Sequence, residues 1–216
     1  MKIDVIVPDK LSQITLEQYQ RFFKIQRTAE DQRFLQVKMI EIFCGVPAEQ
    51  VLHMKLSDVV AITDILNQLF EEKPKLVKKT KLNDRDYGFI PNLEDISLGE
   101  YIDLDTYIGD WDNMHLTMNV LYRPIKGKYG ERYSVEDYQG GDGLHMKELT
   151  MDCVISGLLF FYNLGIELSE TILNYLKESQ ESNLVQYLNS RPNGVGINHF
   201  TRSLTETLNE LKISLN

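Results

Sequence analysis

Helical periodicity along most of the chain, two helix starts of the same design and one lysine-rich stretch of different texture predict a mainly α fold with a small β component (α+β). The expected architecture is a helical-bundle-like core carrying a β-hairpin and short strands. At 216 residues the chain is long enough to bury a sizeable core. Two parts are expected, a helical lobe over 1–72 and a hairpin plus helical core over 73–216, or one continuous domain. Hydrophobic residues at 43% and charged residues at 25% are ordinary globular proportions and exclude wholesale disorder.

Ile3, Val5 and Val7 alternate with other positions and predict a short strand over 3–7, ended by Pro8. Thr15 and Gln18 then stand at capping-box spacing, where a hydroxyl and a side-chain amide satisfy each other's orphan backbone N–H groups. Leu16, Tyr19, Phe22, Phe23 and Ile25 give that helix its apolar face. A second helix is expected over 29–43, with Phe34, Val37, Ile40 and Cys44 on one face and Gly45 as its stop. A short helix follows Pro47, and a longer one capped by Ser57 runs to Phe70 with Val59, Ile62, Leu66 and Leu69 inward.

The stretch 75–90 reads as two strands joined by a polar turn at 83–86. Lys73, Lys75, Lys78, Lys79 and Lys81 make it the most basic part of a chain whose formal net charge is −9. Lysines on a solvated edge guard against strand-to-strand aggregation, and they also suit a contact with an acidic protein surface. The overall acidity argues against wrapping a phosphate backbone.

The stretch 96–125 organises the remainder. Ser97 and Glu100 form another capping box, echoing the one at Thr15, and Leu98, Tyr101, Ile102 and Leu104 follow as an expected apolar face. Asp110 or Asp112 can cap the next helix, whose Met114, Met118, Leu121 and Tyr122 recur at helical spacing until Pro124 stops it. Trp111, the only tryptophan, sits at the corner between the two helices, where it is either a lid on the core or an interface anchor. Arg123, at the expected helix end, suits the macrodipole and can reach the acids of 103–112. Tyr133, Val135 and Tyr138 suggest one more short strand, and residues 140–143 a glycine-rich loop. From Lys147 a long helix is expected, with Leu158, Phe161, Tyr162, Leu164 and Leu168 giving it the near-circumferential apolar surface of a core helix. It continues through 167–177, followed by helices over 180–189 and 200–215, the last amphipathic through Leu204, Leu208 and Leu211.

Complete catalytic constellations do not emerge. The loop before His145 lacks the Gly-Lys-Ser/Thr of a phosphate cradle. His53, His115, His145 and His199 are scattered, with no i, i+4 pair for zinc. Cys44 and Cys153 lack CxxC spacing and read as buried reduced thiols. Asp103 and Asp105 bracket Leu104 and are the nearest approach to an acid pair, but crowded carboxylates at helix ends more often serve capping. Neither a cofactor nor a metal is expected. The opening MKIDVIVPDK places Asp4 and Pro8 where a secretory leader needs an apolar core, and no apolar run reaches membrane-spanning length, so no membrane association is expected.

The residues 96–168, about a third of the chain, resemble a pattern in small morphogenesis proteins of tailed bacteriophages. The resemblance rests on Leu98, Glu100, Tyr101, Ile102 and Leu104, then 121–124 (LYRP), then Tyr133, Glu136 and Tyr138, then Phe160, Phe161, Leu164 and Gly165. It implies a non-enzymatic virion structural protein of the tail or head–tail connector, made in the host cytoplasm. Such a protein would be a ring or adaptor subunit, a homo-oligomer that also contacts other phage structural proteins. A tail-assembly chaperone absent from the mature virion is the alternative it leaves open, and a small acid–base hydrolase is the reading from another class. The candidate interface residues are Lys75, Lys78, Lys79, Lys81, Trp111 and Arg123. The loops 126–129, 139–145 and 191–199 are the expected recognition segments.

Overall fold

The computed structural model describes residues 4–92, 96–130 and 132–178, the last fourteen of these by backbone alone. The expected helices over 180–189 and 200–215 and the loop 191–199 lie outside the described residues. Seven α-helices and a four-stranded antiparallel sheet appear among the described residues, so the α+β class holds.

The first four helices are α1 (Leu16–Gln26), α2 (Gln32–Cys44), α3 (Ala48–Val51) and α4 (Leu56–Phe70). Thr15 and Gln18 make the full capping box at the start of α1. Asp31 caps α2, and Gly45 ends it in the left-handed region at φ 68°, where a glycine carries no Cβ penalty. The face of α2 turned inward is Leu35, Met39, Ile40, Ile42 and Phe43, whereas Phe34 is exposed. Lys55, not Ser57, occupies the N-cap of α4; the Ser57 hydroxyl donates to Asp58 instead. The inward set Val59, Ile62, Leu66 and Leu69 is as the periodicity predicts.

Residues 4–7 form no strand: Ile6 is exposed, and only Val5 and Val7 pack against the core. Alternation alone makes no strand where no partner edge lies alongside. The backbone pairing near this end is instead made by Ile14 and Leu16, whose carbonyl and N–H meet Met151 and Leu149. That bridge ties the start of α1 to the start of α7 (Met151–Glu178).

The sheet has the order β1 (Lys79–Leu82), β2 (Arg85–Phe89), β3 (Tyr122–Tyr129), β4 (Arg132–Val135). Asn83 and Asp84 take φ of 48° and 60°, the two-residue turn whose twist matches paired strands, so the turn is tighter than the 83–86 expected. Between β2 and β3 lie α5 (Leu98–Tyr107) and α6 (Met114–Leu121). Pro124 does not stop α6, which ends at Leu121; it lies inside β3 opposite Tyr87. Residues 126–129, expected as a recognition loop, belong to the same strand. Tyr138 lies beyond β4.

The inner face of the sheet carries Leu82, Tyr87, Phe89 and Tyr122, all buried. The Phe89 ring meets Tyr122 and Phe160 edge-on at 5.4 and 5.3 Å, and α7 packs at Gly157 against Phe89, Leu121 and Tyr122. Leu158 and Phe161 are buried and Leu164 partly so. Buried apolar residues from Leu11 to Phe161 make one cluster, so the helical lobe and the sheet share a core. Cys44 and Cys153 are free thiols, and burial pushes both up to about 11.

Candidate functional site

The sequence-derived candidates fall into three different environments: exposed lysines, the covered Arg123 of β3 and the buried Trp111. Lys79, Gly88 and Arg123 are paired neighbours across β1, β2 and β3, so their side-chain positions share the outer face of the sheet. Gly88 has no side chain, and the Tyr133 ring from β4 fills the space: a Cβ on Gly88 would stand 2.3 Å from Tyr133 Cε2. The Tyr133 hydroxyl donates toward the carbonyls of Phe89 (2.6 Å) and Lys78 (2.9 Å). Lys79 Nζ lies 5.2 Å above the same ring, a cation–π distance.

Arg123 is largely covered, with 15% of its side chain exposed, and its Nη1 lies 2.7 Å from Glu100 Oε1. Glu100 is on α5, where its other oxygen accepts the Ser97 N–H at 2.7 Å as half of the capping box. A helix-start device thus also supplies the counter-charge for a strand arginine. Arg123 therefore reaches Glu100, not the acids of 103–112, and it stands in a strand and not at a helix end. Its Nε is buried with no acceptor.

Above this pair opens a cavity of about 510 Å³ whose walls include Ser97, Glu100, Arg123, Tyr133, Glu136 and Asp137. A second cavity of about 270 Å³ is lined by Lys126, Glu136, Asp137 and Gln139. Glu136 and Asp137 line both, so the two hollows share a wall just after β4. Arg85 Nη2 lies 2.5 Å from Glu136 Oε1, while Asp137 is exposed and makes no ion pair among the described residues. Tyr138 donates to Asp103 at 2.8 Å, and burial together with that carboxylate pushes the phenol up to about 12.

Of the remaining acids of the 103–112 run, Asp110 and Asp112 have structural tasks, whereas Asp105 has a buried carboxylate oxygen with no hydrogen-bond partner among the described residues. Asp110 accepts the Asp112 N–H and the Asn113 amide, and Asp112 pairs with Arg27 at 2.7 Å. Neither acid caps α6 through a side chain; Asn113 is the N-cap. Trp111 is 1% exposed, its ring 4.6 Å from Tyr19 and its carbonyl bonded by Gln20. Of the two roles open to it, the structure gives Trp111 the core one and not that of an exposed interface anchor: its ring packs in an aromatic cluster with Tyr19 and Phe23. Arg123 is corrected likewise, from surface contact to a largely covered cavity wall paired with Glu100. Lys75, Lys78, Lys79 and Lys81 are exposed as their charge requires.

The largest departure is on α5. Only Leu104 of the expected apolar face is buried; Leu98, Tyr101 and Ile102 are 74, 46 and 52% exposed. Their i, i+3, i+4 spacing puts them together on the helix surface. Periodicity finds such a stripe but does not say whether the chain's own core covers it.

Residues 140–143 are irregular, with Gly143 at φ 57° packed so closely that a Cβ would lie 3.1 Å from the His115 carbonyl. Asn119 donates to Gly140 and holds this loop on α6. Among the described residues no three His, Cys, Asp or Glu side chains gather to hold a metal ion, and no helix is long and apolar enough to cross a membrane. No protein-family model, curated protein or solved structure matches the chain.

Proposed function

We propose that the chain is a non-enzymatic structural protein that works through protein–protein contacts as a ring or adaptor subunit in the tail or head–tail connector of a tailed bacteriophage. The observation that carries the binding role is the α5 stripe: three large apolar side chains, adjacent on one helix, turned to solvent beside an otherwise well-filled core. Contiguous exposed apolar surface of this kind marks interaction sites on folded proteins. The resemblance over 96–168 supports the phage setting, and it spans the same helix.

The structural role of the acids favours this over acid–base chemistry. Asp103 holds Tyr138 and Asp112 holds Arg27 of α1, contacts that fix one element against another, and Asp110 closes the turn before α6. Mass spectrometry of purified virions tests the reading. A virion component is recovered in stoichiometric amount with the connector or tail, whereas a chaperone is found in infected cells and not in particles. Sizing the isolated protein over a concentration series tests self-association separately.

A further inference from the structure

We propose that the open edge of β1 takes an acidic, extended peptide of another protein as a fifth strand, held by the main chain of Lys79 and Lys81 and by the lysines that lead into them. This rests on the protein–protein reading above and gives it a partner chemistry.

The sheet ends at β1, whose strand neighbour among the described residues is β2 alone. The Phe89 N–H donates to the Lys78 carbonyl at 2.9 Å, which fixes the alternation of the ladder. Thr80 and Leu82 turn their main-chain groups to β2, and Lys79 and Lys81 turn theirs to the open side. Both lysines are exposed. An edge of this kind is a template for one more strand.

The charge around the edge selects the strand. Residues 73–89 and 122–135, the sheet with its lead-in, hold ten of the chain's 23 lysines and arginines and three of its 32 acids. Lysines also guard edges against aggregation, but a guard belongs on the strand itself. Lys73, Lys75 and Lys78 precede it, are exposed, and make no ion pair among the described residues. Lys79 lies over the Tyr133 ring, an uncharged partner, and Asp86, the acid opposite Lys81, is taken by Lys128. The cations at this edge keep their charge for something outside the chain.

The track is also fixed before anything binds. The Val77 N–H donates to Ser156 Oγ at 3.1 Å, the Val77 carbonyl accepts from the Tyr122 hydroxyl at 2.8 Å, and the Lys78 carbonyl accepts from the Tyr133 hydroxyl at 2.9 Å. Backbone held in place beforehand spares an incoming strand that ordering cost. Side chains alternate along a strand, so carboxylates at every second position of the peptide share the face of Lys79 and Lys81. Nucleic acid is the less suited polyanion. A base needs an open ring to stack on, and Tyr133, the ring beside these lysines, packs on Gly88 and lies under Lys79.

The probe is a fluorescent peptide of about ten residues, glutamate alternating with valine, titrated against the full chain by anisotropy, with amide hydrogen exchange of residues 79–82 as the second readout. The peptide is expected to bind and to slow exchange at the Lys79 and Lys81 amides. The same peptide N-methylated throughout keeps the charge, cannot pair, and is expected to lose both effects. Lys75→Glu with Lys78→Glu removes no side-chain ion pair and should leave thermal unfolding at the parental midpoint. That variant is expected to bind the peptide at least about tenfold more weakly, with the larger loss at low salt. No binding of the acidic peptide, equal binding of the methylated one, parental binding by the variant, or equal or tighter binding of an oligo-dT of the same charge each overturns the inference. All four leave the virion reading to mass spectrometry of particles. A chain that binds the peptide but is absent from particles overturns that reading and keeps this one.

Discussion

The carboxylate of Glu100 serves the Ser97 N–H with one oxygen and the Arg123 guanidinium with the other, each at 2.7 Å, in a place where Glu100 is almost wholly buried. Removing one partner of such a pair leaves a charge without compensation, which costs about 3–5 kcal/mol. Arg123→Met is therefore expected to destabilise by roughly 3 kcal/mol. Glu100→Gln keeps the cap acceptor while orphaning the arginine, and Arg123→Lys restores part of the loss. Urea unfolding of the three variants gives the order Met, then Gln, then Lys; equal midpoints for all three would show that the pair is solvated.

Gly88 is the second position where one residue decides a long-range arrangement. A Cβ there meets the Tyr133 ring at 2.3 Å, and the ring is tied by its hydroxyl to two carbonyls, so it has little room to retreat. Gly88→Ala is expected to cost about 1–3 kcal/mol, the range for overpacking. Combined with Tyr133→Ala the two changes should be strongly non-additive, because the second removes the obstacle to the first. Additive losses would mean that Gly88 is needed for its backbone alone.

The helices were legible because their signals are local. Thr15–Gln18 and Ser97–Glu100 each specify a start through contacts three residues apart, and Gly45 specifies a stop through its own backbone. Most of what failed depends on a distant partner, although two local signals also misplaced a cap: Ser57 and the Asp110/Asp112 pair stand inside or before the starts that Lys55 and Asn113 occupy. Residues 4–7 alternate like a strand but find no neighbour, while Tyr122 reads as the tail of a helix and 126–129 as a loop, yet Tyr122–Tyr129 becomes one strand because β2 offers an edge. Leu98, Tyr101 and Ile102 have core chemistry but no core over them. Of the interface candidates, the four lysines could be placed by charge alone. Trp111 and Arg123 could not, since their environments are made by α1 and α5. No sequence signal pointed to Asp137 or to the hollows beside it, which exist only once β4 folds back near α5.

His115 gives the fold a dependence on acid. Burial lowers its tendency to protonate, Lys147 adds to this, and Asp142 and Asp110 oppose it. Gln20 Nε2, which can only donate, lies 3.4 Å from Nδ1, so the arrangement wants that nitrogen unprotonated. The folded value is below the unfolded one of about 6.5, so the unfolded chain binds the extra proton first. The stabilisation is thus complete above pH 6.5 and is lost as pH falls from there through the folded value. Denaturation midpoints between pH 7.5 and about 5 should decline for the parent and less for His115→Gln. Parallel declines would assign the acid sensitivity to other groups.

The β1–β2 turn offers a stabilising change. Asn83 and Asp84 both hold φ in the left-handed region, which asparagine tolerates and aspartate less readily than glycine. Asp84→Gly places glycine at the second turn position, where two-residue hairpins favour it. A gain of about 0.5 kcal/mol is expected, small because glycine also enlarges the freedom of the unfolded chain. Thermal unfolding checks it: an unchanged or lower midpoint would show that this turn is already relaxed.

The exposed stripe on α5 separates stability from function. Leu98, Tyr101 and Ile102 contribute little to the core, so replacing Leu98 and Ile102 by Gln should shift folding stability by no more than about 0.5 kcal/mol. Glutamine keeps helix propensity close to that of leucine, and Ser97 with Glu100 still caps the helix. If the stripe is a contact surface, the same variant loses incorporation into virions or binding to connector and tail proteins while remaining folded. The stripe variant acts on an apolar contact, so its effect should be nearly insensitive to salt. A Leu98→Gln/Ile102→Gln protein that is stable and incorporated at parental level would show that α5 carries an ordinary scatter of surface apolar residues, and the binding role would pass to another face.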